Sequence, residues 1–129
     1  MGIDINLIVQ IKNKNGWYTI EEKVKNARSY VTFGILANIR NYTSSYIKMP
    51  RGLPEDFEHE DYYTSLVNSN EKQWLGAFSY SYFTLLELLE TNVSFEHTYL
   101  YEWVEQLLEL KKKYKVSLDS IRVVFGFDN

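Results

Sequence analysis

Ile3-Asp4-Ile5-Asn6-Leu7-Ile8-Val9-Gln10-Ile11-Lys12 places an apolar residue at every odd position from 3 to 11. Apart from Ile8, the even positions are polar. Alternation with period two reads as a β-strand with one buried face. Lys12-Asn13-Lys14-Asn15-Gly16 follows, and Asn-Gly supplies the positive φ angles of a tight turn. Trp17-Tyr18-Thr19-Ile20 then resumes strand chemistry, so residues 3–23 are expected to form a hairpin. At the other end, Ile121, Val123, Phe125 and Phe127 alternate with Arg122, Gly126 and Asp128, broken only by Val124. A two-stranded hairpin is marginal alone, so the last strand is expected to pair with it.

Between these ends the pattern is mostly helix and loop. A short helix is expected around Val31 to Asn41, where Phe33, Leu36, Ala37 and Arg40 recur at helical spacing. Thr32 is its expected N-cap, and Gly34 weakens it by about 1 kcal/mol relative to Ala. Residues 42–54 read as a loop. The acids from Glu55 to Asp61 read as the start of a short helix, near its positive dipole end. Residues 68–77 read as a second loop. Phe78, Tyr80 and Tyr82 alternate with Ser79 and Ser81 as a short extended piece. Thr84-Leu85-Leu86-Glu87 is a capping box, opening a helix with Leu85, Leu88 and Leu89 inward.

The strongest helix runs from about Phe95 to Tyr114. Leu100, Trp103, Val104, Leu107, Leu108 and Leu110 share one arc, with Glu102, Glu105 and Glu109 opposite. Lys111, Lys112, Lys113 and Lys115 gather where the helix dipole favours cations. The expected architecture is a single α+β domain over residues 1–129. It is a small antiparallel sheet of N-terminal hairpin plus C-terminal strand, covered on one face by helices.

Composition narrows the functional classes. At 129 residues the length fits one domain, able to bury roughly 68% of its unfolded surface. There is no Cys, which excludes disulfides, thiolate metal sites and a thiol nucleophile. A net charge of −3 disfavours a broad nucleic-acid surface, which needs clustered Lys and Arg. The first residues lack a basic n-region, and no apolar run is long enough for a membrane span. Asn41-Tyr42-Thr43 and Asn92-Val93-Ser94 match the glycosylation pattern but have no functional reading without secretion. The eleven tyrosines suit half-exposed surfaces, because each buries a ring and keeps a hydroxyl for water or a ligand.

Five pieces, in order, span the chain: Gly2-Ile3-Asp4-Ile5, residues 33–41 (Phe-Gly-Ile-Leu-Ala-Asn-Ile-Arg-Asn), Pro50-Arg51-Gly52-Leu53-Pro54-Glu55-Asp56, residues 79–89, and Ile121 to Asn129. Together they resemble a family of small uncharacterised proteins encoded by phages and prophages. The Arg-Gly-Leu-Pro-Glu-Asp and terminal Phe-Asp-Asn pieces are the more specific, and none of the five is a known catalytic motif. The resemblance implies an accessory protein of a bacterial cytoplasm that counters host defence. Two mechanisms are open: sequestering a nucleotide-like signal, or occluding a host defence protein. Family members often carry His where this chain has Phe78 and Tyr80, so a metal or acid–base role there does not carry over.

The candidate residues follow from chemistry. Arg51 lies between Pro50 and Gly52 in a loop rich in Ser, Thr and Tyr. Its guanidinium can grip a phosphate or carboxylate with two parallel bonds, and Gly52 lets a ligand approach the backbone. Tyr42, Tyr46 and Trp74 can stack on a base. The structural alternative is that Arg51 pairs with Glu55 or Asp56 and pins the loop. Arg40 and Asp128 are expected to form an ion pair between helix and sheet edge, or to border a pocket. Ser79 and Ser81 either serve a ligand or satisfy backbone groups ahead of the capping box.

His59 and His97 sit in different elements, and Asp56, His59 and Glu60 alone resemble a metal triad. No metal or cofactor site is expected. The leading reading is therefore a non-enzymatic binder of a nucleotide-type small molecule or a host protein. The alternatives are a small metal- or carboxylate-dependent hydrolase of a phosphate compound, and a virion or regulatory module working as a homo-oligomer through a sheet edge or aromatic patch.

Overall fold

A computed structural model describes residues 2–25, 29–39, 41, 45–57 and 78–128, with the backbone alone given for Phe78 and Asp128. Among these residues, four strands form one antiparallel sheet in the order β2-β1-β4-β3. They are β1 (Asp4–Asn13), β2 (Gly16–Thr19), β3 (Phe78–Thr84) and β4 (Ile121–Asp128). The chain ends are neighbours: Ile5 pairs with Phe127 and Leu7 with Phe125, as expected. The extended piece around Tyr80 joins the sheet as its fourth strand, on the far side of β4.

The hairpin turn departs in one detail. Gly16 has φ 113°, but Asn15 keeps a negative φ and donates its N–H to the Asn13 carboxamide oxygen at 2.8 Å. The turn thus uses one positive φ and an Asx bond rather than two left-handed residues.

Among the described residues, three helices pack on one face: α1 (Tyr30–Ala37), α2 (Leu85–Glu90) and α3 (Leu100–Tyr114). The main core lies between them and Ile5, Leu7, Val9, Ile121, Val123, Phe125 and Phe127. Ser29, not Thr32, caps α1, its hydroxyl accepting from the Thr32 N–H at 3.3 Å. Thr32 is buried and accepts instead from the Tyr99 N–H, joining α1 to the start of α3. The helix stops at Asn38, which adopts the left-handed conformation. Helix α3 starts at Leu100 rather than near Phe95. The capping box of α2 forms as expected. Leu89 and Leu108, expected inward, are exposed.

The second face of the sheet is also covered, which the alternation did not anticipate. Ile8 and Val124, the two residues that break it, are opposite one another in the register and buried. Phe57 lies over them, with Leu53, Tyr80 and Tyr82 around it. Each exception therefore faces a second, smaller core supplied by the loop before β3, and both faces of the central strands leave water.

Candidate functional site

The loop that crosses the second face carries Arg51, the leading candidate. Gly52, at φ 80°, turns it so that its N–H meets the Tyr80 carbonyl at 2.7 Å, while the Arg51 N–H reaches the Ser81 hydroxyl at 3.2 Å. These bonds cap part of the outer edge of β3, which would otherwise present open backbone groups. The Arg51 guanidinium then turns to the start of α2, where Nη2 donates to Glu87 Oε2. Glu87 Oε1 accepts from the Thr84 N–H at 3.0 Å, so one carboxylate serves both the capping box and the arginine. Burial pushes the Glu87 carboxyl up, but its bonds to Arg51 and Thr84 outweigh that and hold it below its usual value.

Arg51 therefore pins its loop, as the structural alternative anticipated, but through Glu87 rather than Glu55 or Asp56. Its Nε is buried and, among the described residues, has no acceptor. The guanidinium carbon lies 4.8 Å from the Tyr82 ring centroid and 4.7 Å from that of Phe83.

A second arginine shares the Tyr82 ring. Arg122 of β4 is 4% exposed and lies 5.9 Å from the Tyr82 centroid and 4.0 Å from that of Trp17. Its Nε and Nη2 both donate to Gln10 Oε1, at 3.0 and 2.7 Å. Its Nη1 donates to Asp56 Oδ1 at 3.2 Å. Gln10 and Arg122 face each other in the β1–β4 register, and Gln10 Nε2 donates onward to the Thr19 hydroxyl at 3.2 Å. Burial lowers the Arg122 pKa and Asp56 opposes that shift. Yet Asp56, the one charged partner of Arg122 among the described residues, has a side chain 60% exposed. Among the described residues, a guanidinium taken out of water is thus met by one neutral acceptor, one solvent-facing carboxylate and the Trp17 ring.

Of the other candidates, Tyr46 and Ser79 have described side chains, and neither joins this cluster. Tyr46, on the same loop, is exposed. Ser79 sits at a β-bulge with φ 53°, and it is Ser81, wholly buried, that takes the Arg51 N–H. The Asp128 backbone pairs with Asp4 at the end of β4. Arg40, Tyr42, Trp74 and His59 lie outside the described residues, as do Glu58, Glu60 and Asp61 and the second loop at 68–77. His97 is exposed beside Glu96 at 3.5 Å. Among the described residues no group of three His, Asp or Glu stands ready to hold a metal ion, and no helix is long and apolar enough to cross a membrane.

Sequence reasoning missed Arg122 and Gln10. Both sit at polar positions of alternating strands, where the pattern assigns them to solvent. The signal was present: Ile8 and Val124 imply a covered second face, which buries their strand neighbours too.

Compared with known proteins, the chain matches no family model, no curated protein sequence and no solved structure.

Proposed function

We propose that this chain is a non-enzymatic binding protein that takes an anionic, nucleotide-type small molecule at Arg122, with Arg51 beside it and Asp56 as the counter-ion the ligand displaces. The carrying observation is the mismatch at Arg122: a buried guanidinium whose one charged partner among the described residues is a largely exposed carboxylate. Exchanging that carboxylate for a phosphate oxygen keeps the cation paired through a bond of the same charge-assisted kind. The Arg51 Nε, which has no acceptor among the described residues, supplies a further donor near the same Tyr82 ring. The phage-type resemblance gives the setting, a host cell in which capture of a nucleotide signal would blunt a defence response.

A thermal-shift screen of cyclic and linear nucleotides, with inorganic phosphate alongside, tests this. A ligand at 100 times its dissociation constant adds about 2.7 kcal/mol of stability, a shift of several degrees for a domain of this size. Stabilisation that disappears in Arg122→Gln supports the reading. No stabilisation by any of these anions, or stabilisation unchanged in Arg122→Gln, ends it.

A further inference from the structure

The site above leaves α3 unused, and this helix has three distinct sides. Leu100, Trp103 and Leu107 face the core. A second side holds the segment after β2: Lys113 Nζ and the Tyr114 hydroxyl donate to Glu22, and Gln106 Oε1 accepts the Lys25 N–H. The third side carries Tyr101, Val104 and Leu108, at the spacing of neighbouring turns. Tyr101 is 60% exposed and Leu108 39% exposed. Beside them an open groove of about 330 Å³ runs between α2 and α3, lined mainly by Leu88, Leu89, Val93, Phe95, Tyr101 and Val104.

Charge along the helix selects the occupant. Residues 83–110 hold six glutamates and no Lys or Arg, whereas Lys111, Lys112, Lys113 and Lys115 follow at once. A uniformly basic segment would suit the first half of α3 and be repelled by the second. A second copy of α3 running antiparallel suits both. With the two-fold axis at Leu108, the two leucines meet on the axis, Glu105 stands against Lys112 of the second copy, and Tyr101 lies along its Lys115 stem. Glu105 and Lys112 are both exposed, and neither has an ion-pair partner among the described residues. Opposed helix dipoles favour the same orientation. A parallel pairing would set Glu against Glu.

We infer that the chain forms a two-fold homodimer through the Tyr101–Leu108 side of α3, in antiparallel register fixed by Glu105 and Lys112. Such an interface is isologous, so each contact off the axis occurs twice. The Arg122 cluster lies on the opposite face of the sheet, so both copies keep it.

Sedimentation equilibrium of the full chain reads this out. The wild type has twice the monomer mass and dissociates as salt rises, because the ion pairs are screened. Leu108→Glu, at an exposed position, gives a monomer with unchanged circular dichroism. Glu105→Lys and Lys112→Glu each dissociate the dimer, and the double exchange restores it. A wild type still monomeric at about 1 mM overturns the inference. So does a dimer that survives Leu108→Glu. If the single exchanges dissociate it and the double does not restore it, the antiparallel register is wrong.

Discussion

Arg51 and Glu87, 36 residues apart, share an ion pair in which the carboxylate is also the N3 member of the α2 capping box. The loop over the second face, the end of β3 and the first turn of α2 are thereby fixed by a single side chain. Losing either partner should loosen all three.

Arg51→Ala is expected to cost about 2 kcal/mol, combining a charge-assisted bond with packing on Tyr82 and Phe83. Glu87→Gln keeps a capping-box residue at N3 and should cost less, about 1 kcal/mol. In urea unfolding, the double mutant should show a coupling of at least about 0.5 kcal/mol. Additive losses would mean the two side chains stabilise the fold independently rather than as a pair.

Gly34→Ala should destabilise the protein, although alanine is the better helix former by about 1 kcal/mol. An added Cβ would lie 2.9 Å from Asn41 Oδ1 and 3.1 Å from the Asn41 backbone. That asparagine donates to Asn38 Oδ1 and to the Ser45 carbonyl, so it cannot step aside freely. The net loss should be about 1–2 kcal/mol by denaturant titration. A stabilised variant would show that the chain after α1 does not pack against Gly34.

At Gly52 the argument is conformational. An added Cβ would have no described atom within 4 Å, but φ is 80°. Gly52→Ala should cost about 1–2 kcal/mol, and Gly52→Asn less, since Asn tolerates the left-handed region. Equal losses in thermal melting would point to steric conflict instead.

Acid should weaken the attachment of α3. The Lys113 ammonium and the Tyr114 hydroxyl, both donating to Glu22, hold its carboxyl at about 2, below the ordinary 4.5. A depressed carboxylate contributes stability that is complete above its unfolded pKa and is lost as pH falls through the folded one. The loss should therefore run between pH 4.5 and about 2. In Glu22→Gln, stability should fall less steeply over that window, and an unchanged slope would contradict the pairing.

The architecture was legible because the terminal strands alternate with few exceptions and because Thr84 and Glu87 form a recognisable cap. The second core was not. Phe57 sits in a loop with no periodicity, and only tertiary contact shows that Ile8 and Val124 need cover. The site was half legible for the same reason. Arg51 stood out between Pro50 and Gly52, where a loop arginine has a chemical reading. Arg122 looked like a solvent-facing strand residue until the loop closed over it. Leu89 and Leu108 erred the other way: helical spacing placed them near the apolar arc, but the neighbouring helix leaves that flank open.

The proposed exchange of Asp56 for an external anion at Arg122 is tested most directly by calorimetric titration of Asp56→Asn beside the wild type, using inorganic phosphate and the best nucleotide from the screen. Removing the competing carboxylate should tighten binding about tenfold, or about 1.4 kcal/mol, and Arg122→Gln should abolish it. Equal affinity in Asp56→Asn and wild type, or no heat in either, would contradict the assignment.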